Sequence, residues 1–193
     1  MADMNDTPRL LLASASPRRS ALLAQIGIAH KVYATEIDES PLPGEDAAAL
    51  VRRLARSKAL AAQPLAGLLP VLGSDTEVVL DGRVFGKPGD AAEGEAMLLS
   101  LAGRVHQVLS AVALVLPDGR VFEALSESHV RMRPVSRDEA RAYWNSGEPR
   151  GKAGGYAIQG YAAVFISGLE GSFSGVMGLP LFETAALLTE AGL

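Results

Sequence analysis

The chain has 193 residues, 48% of them hydrophobic, a formal net charge of −4 and no cysteine. That length and apolar content predict one globular domain spanning residues 1–193, with ample material for a buried core. The acidic balance argues against a long nucleic acid as partner, because phosphate neutralisation needs a basic surface, and the missing cysteines exclude disulfides, thiolate metal sites and a cysteine nucleophile.

The start, Met1–Asp6, carries two acids and no apolar stretch, so it does not read as a signal peptide. No apolar run approaches the ~20 residues that span a bilayer. The expectation is a soluble, cytoplasmic protein.

Arg9 to Ala13 reads as a buried strand, and a helix follows with Ser16 as N-cap, Pro17 at its first position and Gly27 at its end. His30 to Ala34 suits a second strand, and Thr35 to Gly44 a loop. From Asp46 to Gln63 the pattern is helical. Val51, Leu54, Ala55 and Lys58 share one stripe, while Arg52, Arg53 and Arg56 lie off it. Pro70 to Ser74 reads as a buried strand ending at Asp75. A hairpin around Asp81-Gly82 follows, then a helix over Asp90 to Leu101. Val105 to Leu116 and Arg120 to Val130 form a longer hairpin. Ser136 to Asn145 is a helix opened by a Ser136/Glu139 capping box. Ser146 to Gly160 is a glycine-rich loop of the kind that carries function. Tyr161 to Ser167 reads as a strand, Gly168 to Gly171 as a turn, and Pro180 to Glu190 as the last helix. Helices mixed with hairpins predict an α/β fold with a mixed sheet.

Five candidates for chemistry stand out, Lys58 and Lys87 counting as one pair. Ser14-Ala15-Ser16-Pro17-Arg18-Arg19 runs from a strand into a helix start. Free N–H groups, two hydroxyls and two guanidinium forks suit an anion such as phosphate, and a capped helix with two surface arginines is the competing reading. Asp75, at a strand end, suits a divalent cation or an oriented water, or else caps a hairpin. The loop Glu36-Ile37-Asp38-Glu39 offers further carboxylates to a hard cation. Lys58, on an apolar stripe, either snorkels or reaches a buried anion. Lys87 sits in the turn Gly86-Lys87-Pro88. Gln159, in the glycine-rich loop, carries an amide able to read a base edge. His30, His106 and His129 have neither zinc nor triad spacing and read as structural, and Tyr143 and Trp144 as helix packing.

The order of these segments resembles the Maf family of nucleotide pyrophosphatases. Ser14 to Arg19 resembles its SxSPRR opening, and Leu54 to Ala59 its LAxxKA helix. Gly73-Ser74-Asp75-Thr76 with Gly86-Lys87-Pro88 resembles its DT…GKP segment. Leu101 to His106, Gly147-Glu148-Pro149, Lys152-Ala153-Gly154, Ile158-Gln159-Gly160 and Gly178 to Leu181 continue the series. The resemblance covers about Leu10 to Leu188. It implies a mixed twisted sheet flanked by helices, with two lobes around a central cleft, of the inosine triphosphate pyrophosphatase type. It implies cleavage of a nucleoside triphosphate to monophosphate and diphosphate with a divalent cation, Mg²⁺ or Mn²⁺. It makes Asp75 the catalytic carboxylate and, with Glu39, a metal ligand. Ser14, Arg18, Arg19, Lys58 and Lys87 become phosphate-side groups. Arg18-Arg19, Thr76 and Ile158-Gln159-Gly160 match the branch preferring dTTP and UTP, so Arg18, Thr76 and Gln159 are expected to set base choice. Departures are Gly151 where the family has aspartate, Ala102 for serine, and Ser110-Ala111 for threonine-glycine. The expected partner is a small nucleotide, with no nucleic acid and no membrane, and a second copy of the chain is the one candidate protein partner. The alternative reading, from another class, is a nucleotide-binding regulator of cell division and septum formation without turnover.

Overall fold

The structure is a computed structural model that describes residues 7–193. The signal-peptide reading of Met1–Asp6 therefore falls outside the described residues. Strands β1 (Leu10–Ala13), β2 (His30–Val32), β3 (Val71–Leu80), β4 (Arg83–Phe85), β5 (Val105–Val115), β6 (Val121–Met132) and β7 (Ile166–Glu170) form one sheet. Its order is β2-β1-β3-β5-β6-β7, with β4 also paired to β3. The β1 pairings are parallel and the others antiparallel, so the sheet is mixed as expected. The helices are α1 (Pro17–Gln25), α2 (Ala47–Ala62), α3 (Ala91–Leu101), α4 (Arg137–Asn145), α5 (Phe173–Met177) and α6 (Leu181–Glu190). Among the described residues no helix is long and apolar enough to cross a membrane.

The period-2 alternation of β3 and β5 divides the interior. Val71, Val79, Leu109, Ala111, Ala113 and Val115 face α2 and pack on Val51, Ala55 and Ala59. On the other face, Leu72, Val112 and Leu114 join α1 and α6 through Leu22, Leu23, Leu187 and Leu188. Further along that face Val78, Leu80 and Val108 join α3 and α4 through Leu98, Leu101, Ala140 and Tyr143. Between these two apolar clusters lies a polar band. Thr76 pairs with Ser110, and Ser110 with Ser126 on the next strand. Two lobes thus share one sheet face, separated by hydroxyls, while α2 backs the other face.

Strand β3 does not end at Asp75. Its antiparallel ladder with β5 runs unbroken from Val71↔Val115 to Val79↔Gln107, which holds the backbone extended past the acid. The opposite edge is different. There β1 covers β3 only to Gly73, and β4 takes over only at Val78. Ser74 to Glu77 lie at the gap. Asp81, at φ 52, and Gly82, at φ 75, make the left-handed turn into β4.

Two other expectations are corrected. Tyr161–Phe165 is a 3₁₀ helix, because the N–H groups of Tyr161 and Ala162 donate to the Glu148 carboxylate instead of a sheet ladder. The strand comes later, and Gly168 to Glu170 belong to it, paired with β6, with the turn confined to Gly171. Helix α5 was not anticipated. At five residues, with two glycine or serine positions inside, it shows no periodic apolar stripe.

Gly73 faces α2 at very close range. A Cβ there would stand 2.1 Å from the Ala55 carbonyl oxygen and 2.8 Å from the Ala59 nitrogen. Backbone cannot yield as a side chain can, so Gly73→Ala is expected to cost about 1–3 kcal/mol, read as a lower urea midpoint at unchanged slope. His106 is buried, with Nε2 2.8 Å from the Tyr156 hydroxyl. Burial holds its pKa down to about 4 from 6.5. Between those values the unfolded chain takes up a proton that the folded chain refuses. This contribution is complete above pH about 6.5 and falls as pH drops toward about 4. His106→Gln should flatten that part of the stability–pH profile.

Candidate active site

The gap at the β3 edge opens into a cavity of about 690 Å³, lined by the 13–19 turn, α2, β3, the Gly86–Lys87 turn and the 151–159 loop. The cavity is of a size that holds a small ligand. Ser14, Arg18, Arg19, Glu39, Lys58, Asp75, Thr76, Lys87 and Gln159 all line it, so the fold brings every predicted site residue together.

On the α2 face of β3, Lys58 is buried on the helix stripe and its ammonium meets two carboxylates. Its Nζ lies 2.6 Å from Asp75 Oδ1 and 2.6 Å from Glu39 Oε1. It reaches a buried anion and does not snorkel. Lys87, at the exposed rim, stands 3.3 Å from Glu39 Oε2. Burial alone would raise the Glu39 pKa, but the hydrogen bond and charge of Lys58, joined by Lys87, outweigh it and hold this carboxyl below its ordinary range. Asp75 is 6% exposed, and among the described residues its second oxygen, Oδ2, has no hydrogen-bond partner.

Sequence reasoning passed over Glu77. Two residues on from Asp75, it points to the same side of the strand and lines the same cavity. Burial, then the charges of Asp75 and Glu39, push its pKa up to about 7. The period of two from Asp75 was the available signal, masked by reading the strand as ended. Lys152 was also passed over as a cavity cation. Burial and the charge of Arg18 lower its pKa. Its Nζ donates to the Glu148 carbonyl oxygen, so the lysine is tethered without the aspartate that Gly151 replaces. Gly151 itself has φ 68, a conformation that suits glycine.

The opposite face of β3 braces the phosphate-type turn. The Gly178 carbonyl oxygen accepts from Arg19 Nε at 2.7 Å, from Ser74 Oγ at 3.0 Å and from Thr76 Oγ1 at 3.4 Å. Arg19 also donates to Ser14 Oγ. Arg18 donates to the Met177 carbonyl through Nε alone. Both guanidinium groups turn toward the protein to make these bonds, and burial lowers the pKa of each. Ser110 donates to the Gly175 carbonyl at 2.6 Å and touches Thr76 Oγ1 at 2.9 Å. The hydroxyl at 110 thus has a defined role in seating α5.

Helices α2, α3 and α4 close their first turns with a side-chain cap from Asp46, Asp90 and Ser136. Helix α1 does not: the Ser16 side chain makes no cap hydrogen bond and its first turn holds no acid. Its leading N–H groups and positive dipole end are left for an anion in the cavity.

A model of the family described as Maf-like protein matches residues 9–191. The chain belongs to this family. Among its Maf-like relatives, the dTTP/UTP pyrophosphatase of Bordetella avium is 52% identical, with 98% of each chain covered. The dTTP/UTP pyrophosphatase of Methylococcus capsulatus is also 52% identical, over 96% of this chain and 92% of that one. A solved nucleoside-triphosphatase / dITP/XTP pyrophosphatase from Mycobacterium abscessus is 20% identical over 94% of each chain, with a TM-score of 0.44.

Among the described residues no three His, Asp or Glu side chains already converge to hold a divalent cation. Yet the unpartnered Asp75 Oδ2 and the carboxylates of Glu39 and Glu77 are hard oxygen donors in one cavity, which is the chemistry Mg²⁺ or Mn²⁺ takes.

The loop bearing Gln159 is held by Glu148, whose carboxylate accepts from Tyr143 Oη and from the nitrogens of Tyr161 and Ala162. A Cβ on Gly160 would lie 2.2 Å from Glu148 Oε2. Gly160→Ala is expected to displace that carboxylate and loosen the loop, seen as a melting temperature lower by several degrees, the scale of a ~1 kcal/mol defect or more.

Proposed function

We propose that the chain hydrolyses nucleoside triphosphates, dTTP and UTP first among them, to the monophosphate and diphosphate. The observation that carries this reading is Asp75: a buried carboxylate with one oxygen fixed by Lys58 and the other unpartnered, in a cavity shared with the open end of α1 and several cations. The names of the relatives at 52% identity support it.

In this reading the triphosphate lies along the basic side of the cavity. Arg18, Lys87 and the leading N–H groups of α1 bind its phosphate oxygens, and Ser14 adds a hydroxyl. Arg19 keeps the turn docked on Gly178. Lys58 holds Asp75 Oδ1, so that Oδ2 meets a water beside the α-phosphorus. The water oxygen bonds to that phosphorus, its proton passes to Asp75, and the bond to the bridging oxygen breaks to release diphosphate. Asp75 and Glu39 are the residues that would hold a divalent cation, Mg²⁺ or Mn²⁺. When bound, the cation supplies neutralisation of phosphate charge. Thr76 and Gln159 line the cavity where a base would sit, and with Arg18 they are proposed to select a pyrimidine. The proposal includes a cytoplasmic location and a nucleotide as partner. The alternative of a regulator of septum formation without turnover is not favoured, since the relatives carry the names of hydrolytic enzymes.

Diphosphate release measured with dTTP, UTP, CTP, GTP and 7-methyl-GTP should favour the first two, and a preference for the last would overturn the base assignment. Asp75→Asn is expected to lower kcat for dTTP by about a hundredfold or more while the fold persists. Near-native turnover by that variant would remove Asp75 from the mechanism. Stripping divalent ions with a chelator should abolish release, and added Mg²⁺ or Mn²⁺ should restore it.

A further inference from the structure

Among the described residues, Glu77 is the one cavity carboxylate for which the mechanism above has no use. Its neighbours on the α2-facing side of β3 are Val71, Gly73 and Val79, a face otherwise built to pack on a helix. An acid on such a face needs a reason. Glu77 lies at the gap where neither β1 nor β4 covers the strand, so its side chain reaches the cavity. The two nearby lysines do not pair with it. Lys58 is engaged by Asp75 and Glu39, and Lys87 by Glu39.

Charge balance sharpens the question. Asp75, Glu39 and Glu77 face one cavity, and Lys58 sits between only the first two. Three carboxylates there repel one another and repel an incoming triphosphate. A divalent cation among them removes both repulsions. An independent feature points the same way. Asp75 is 94% buried by its 6% exposure, yet Oδ2 is left without any partner at this spot. An unsatisfied buried carboxylate oxygen is costly unless something binds it.

We propose that Glu77 is a third carboxylate of the divalent-cation site, acting with Asp75 and Glu39, and that this third oxygen donor lets this chain take up the ion before nucleotide arrives. The proposal rests on the metal-assisted reading above, but it concerns binding of the ion by itself. Affinity in oxygen-donor sites rises with the number of charged ligands, so a site with three carboxylates holds an ion that a site with two holds only when phosphates complete the shell.

The test is Mn²⁺ binding to the full chain without nucleotide, followed by the loss of the free-ion paramagnetic resonance signal and by calorimetry. The wild-type chain is expected to bind one Mn²⁺. Glu77→Gln, which keeps shape and removes charge, should weaken that binding by about tenfold or more. Glu77→Asp should recover part of it, and the exposed Glu190→Gln should leave it unchanged. Matching circular dichroism and melting curves establish that the variants fold. In turnover assays Glu77→Gln should need a correspondingly higher Mn²⁺ concentration for half-maximal rate, with kcat recovered at saturation. Equal Mn²⁺ affinity in wild type and Glu77→Gln overturns the proposal, and so does a wild-type chain that binds no Mn²⁺ without nucleotide. If Glu77→Gln loses Mn²⁺ affinity while the wild-type chain cleaves no triphosphate, the cation site stands and the pyrophosphatase reading falls.

Discussion

One ammonium group holds two carboxylates at 2.6 Å each: Lys58 on α2, Asp75 on β3 and Glu39 on the loop between β2 and α2. Three separate stretches of chain are brought to one point by that group. Removing two charges from water is expensive, and a buried ion pair is poor evidence of stabilisation. Here the arrangement is also incomplete by the standard of a structural bridge. Asp75 Oδ2 has no partner among the described residues, and Glu39 is still half open to solvent. A pair built for stability alone would satisfy its remaining lone pairs. This one leaves an acceptor in a cavity, which suits chemistry better than it suits folding.

The gap in the sheet places Asp75 at the cavity. Strand β3 is paired with β5 from Val71 to Val79, so it stays extended through Asp75. Its other side is covered at both ends and open in the middle. The cavity therefore has a continuous floor and a missing wall, and the chain returns to supply the wall from elsewhere. The turn after β1 brings hydroxyls, two arginines and the uncapped start of α1. The segment after β4 brings Lys87. The 151–159 loop brings Lys152 and Gln159.

The two faces of β3 divide the labour by the simple alternation of side chains. Odd positions around the gap carry Asp75 and Glu77 toward α2 and its lysine. Even positions carry Ser74 and Thr76 toward the Gly178 carbonyl, which also receives Arg19. The hydroxyls of Thr76, Ser110 and Ser126 interrupt an otherwise apolar sheet face and separate the two hydrophobic clusters. A polar band in a core is tolerable only when its groups are satisfied, and the Gly175 carbonyl takes the Ser110 hydroxyl while the Gly178 carbonyl takes those of Ser74 and Thr76. The short helix α5 thereby becomes the brace that fixes the phosphate-type turn to the sheet.

Sequence by itself determined the elements whose signals are local. The apolar stripe of α2 placed Lys58 inward, the Asp81-Gly82 turn closed β3 onto β4, and the Ser136/Glu139 capping box opened α4, as found. The ordered motifs also led to the family and to a set of residues that line one cavity. Tertiary structure alone decided the rest. Whether β3 ended at Asp75 depended on its ladder with β5, whose pairing residues lie far away in the chain, from Ser110 opposite Thr76 to Gln107 opposite Val79. Whether residues 161–165 formed a strand depended on a carboxylate at Glu148 competing for their N–H groups. Glu77 became visible only when the continuous strand carried it to the same side as Asp75. In each case the deciding partner was distant in the chain, and a hydrogen bond or a shared face between distant residues exists only once the fold has brought them together.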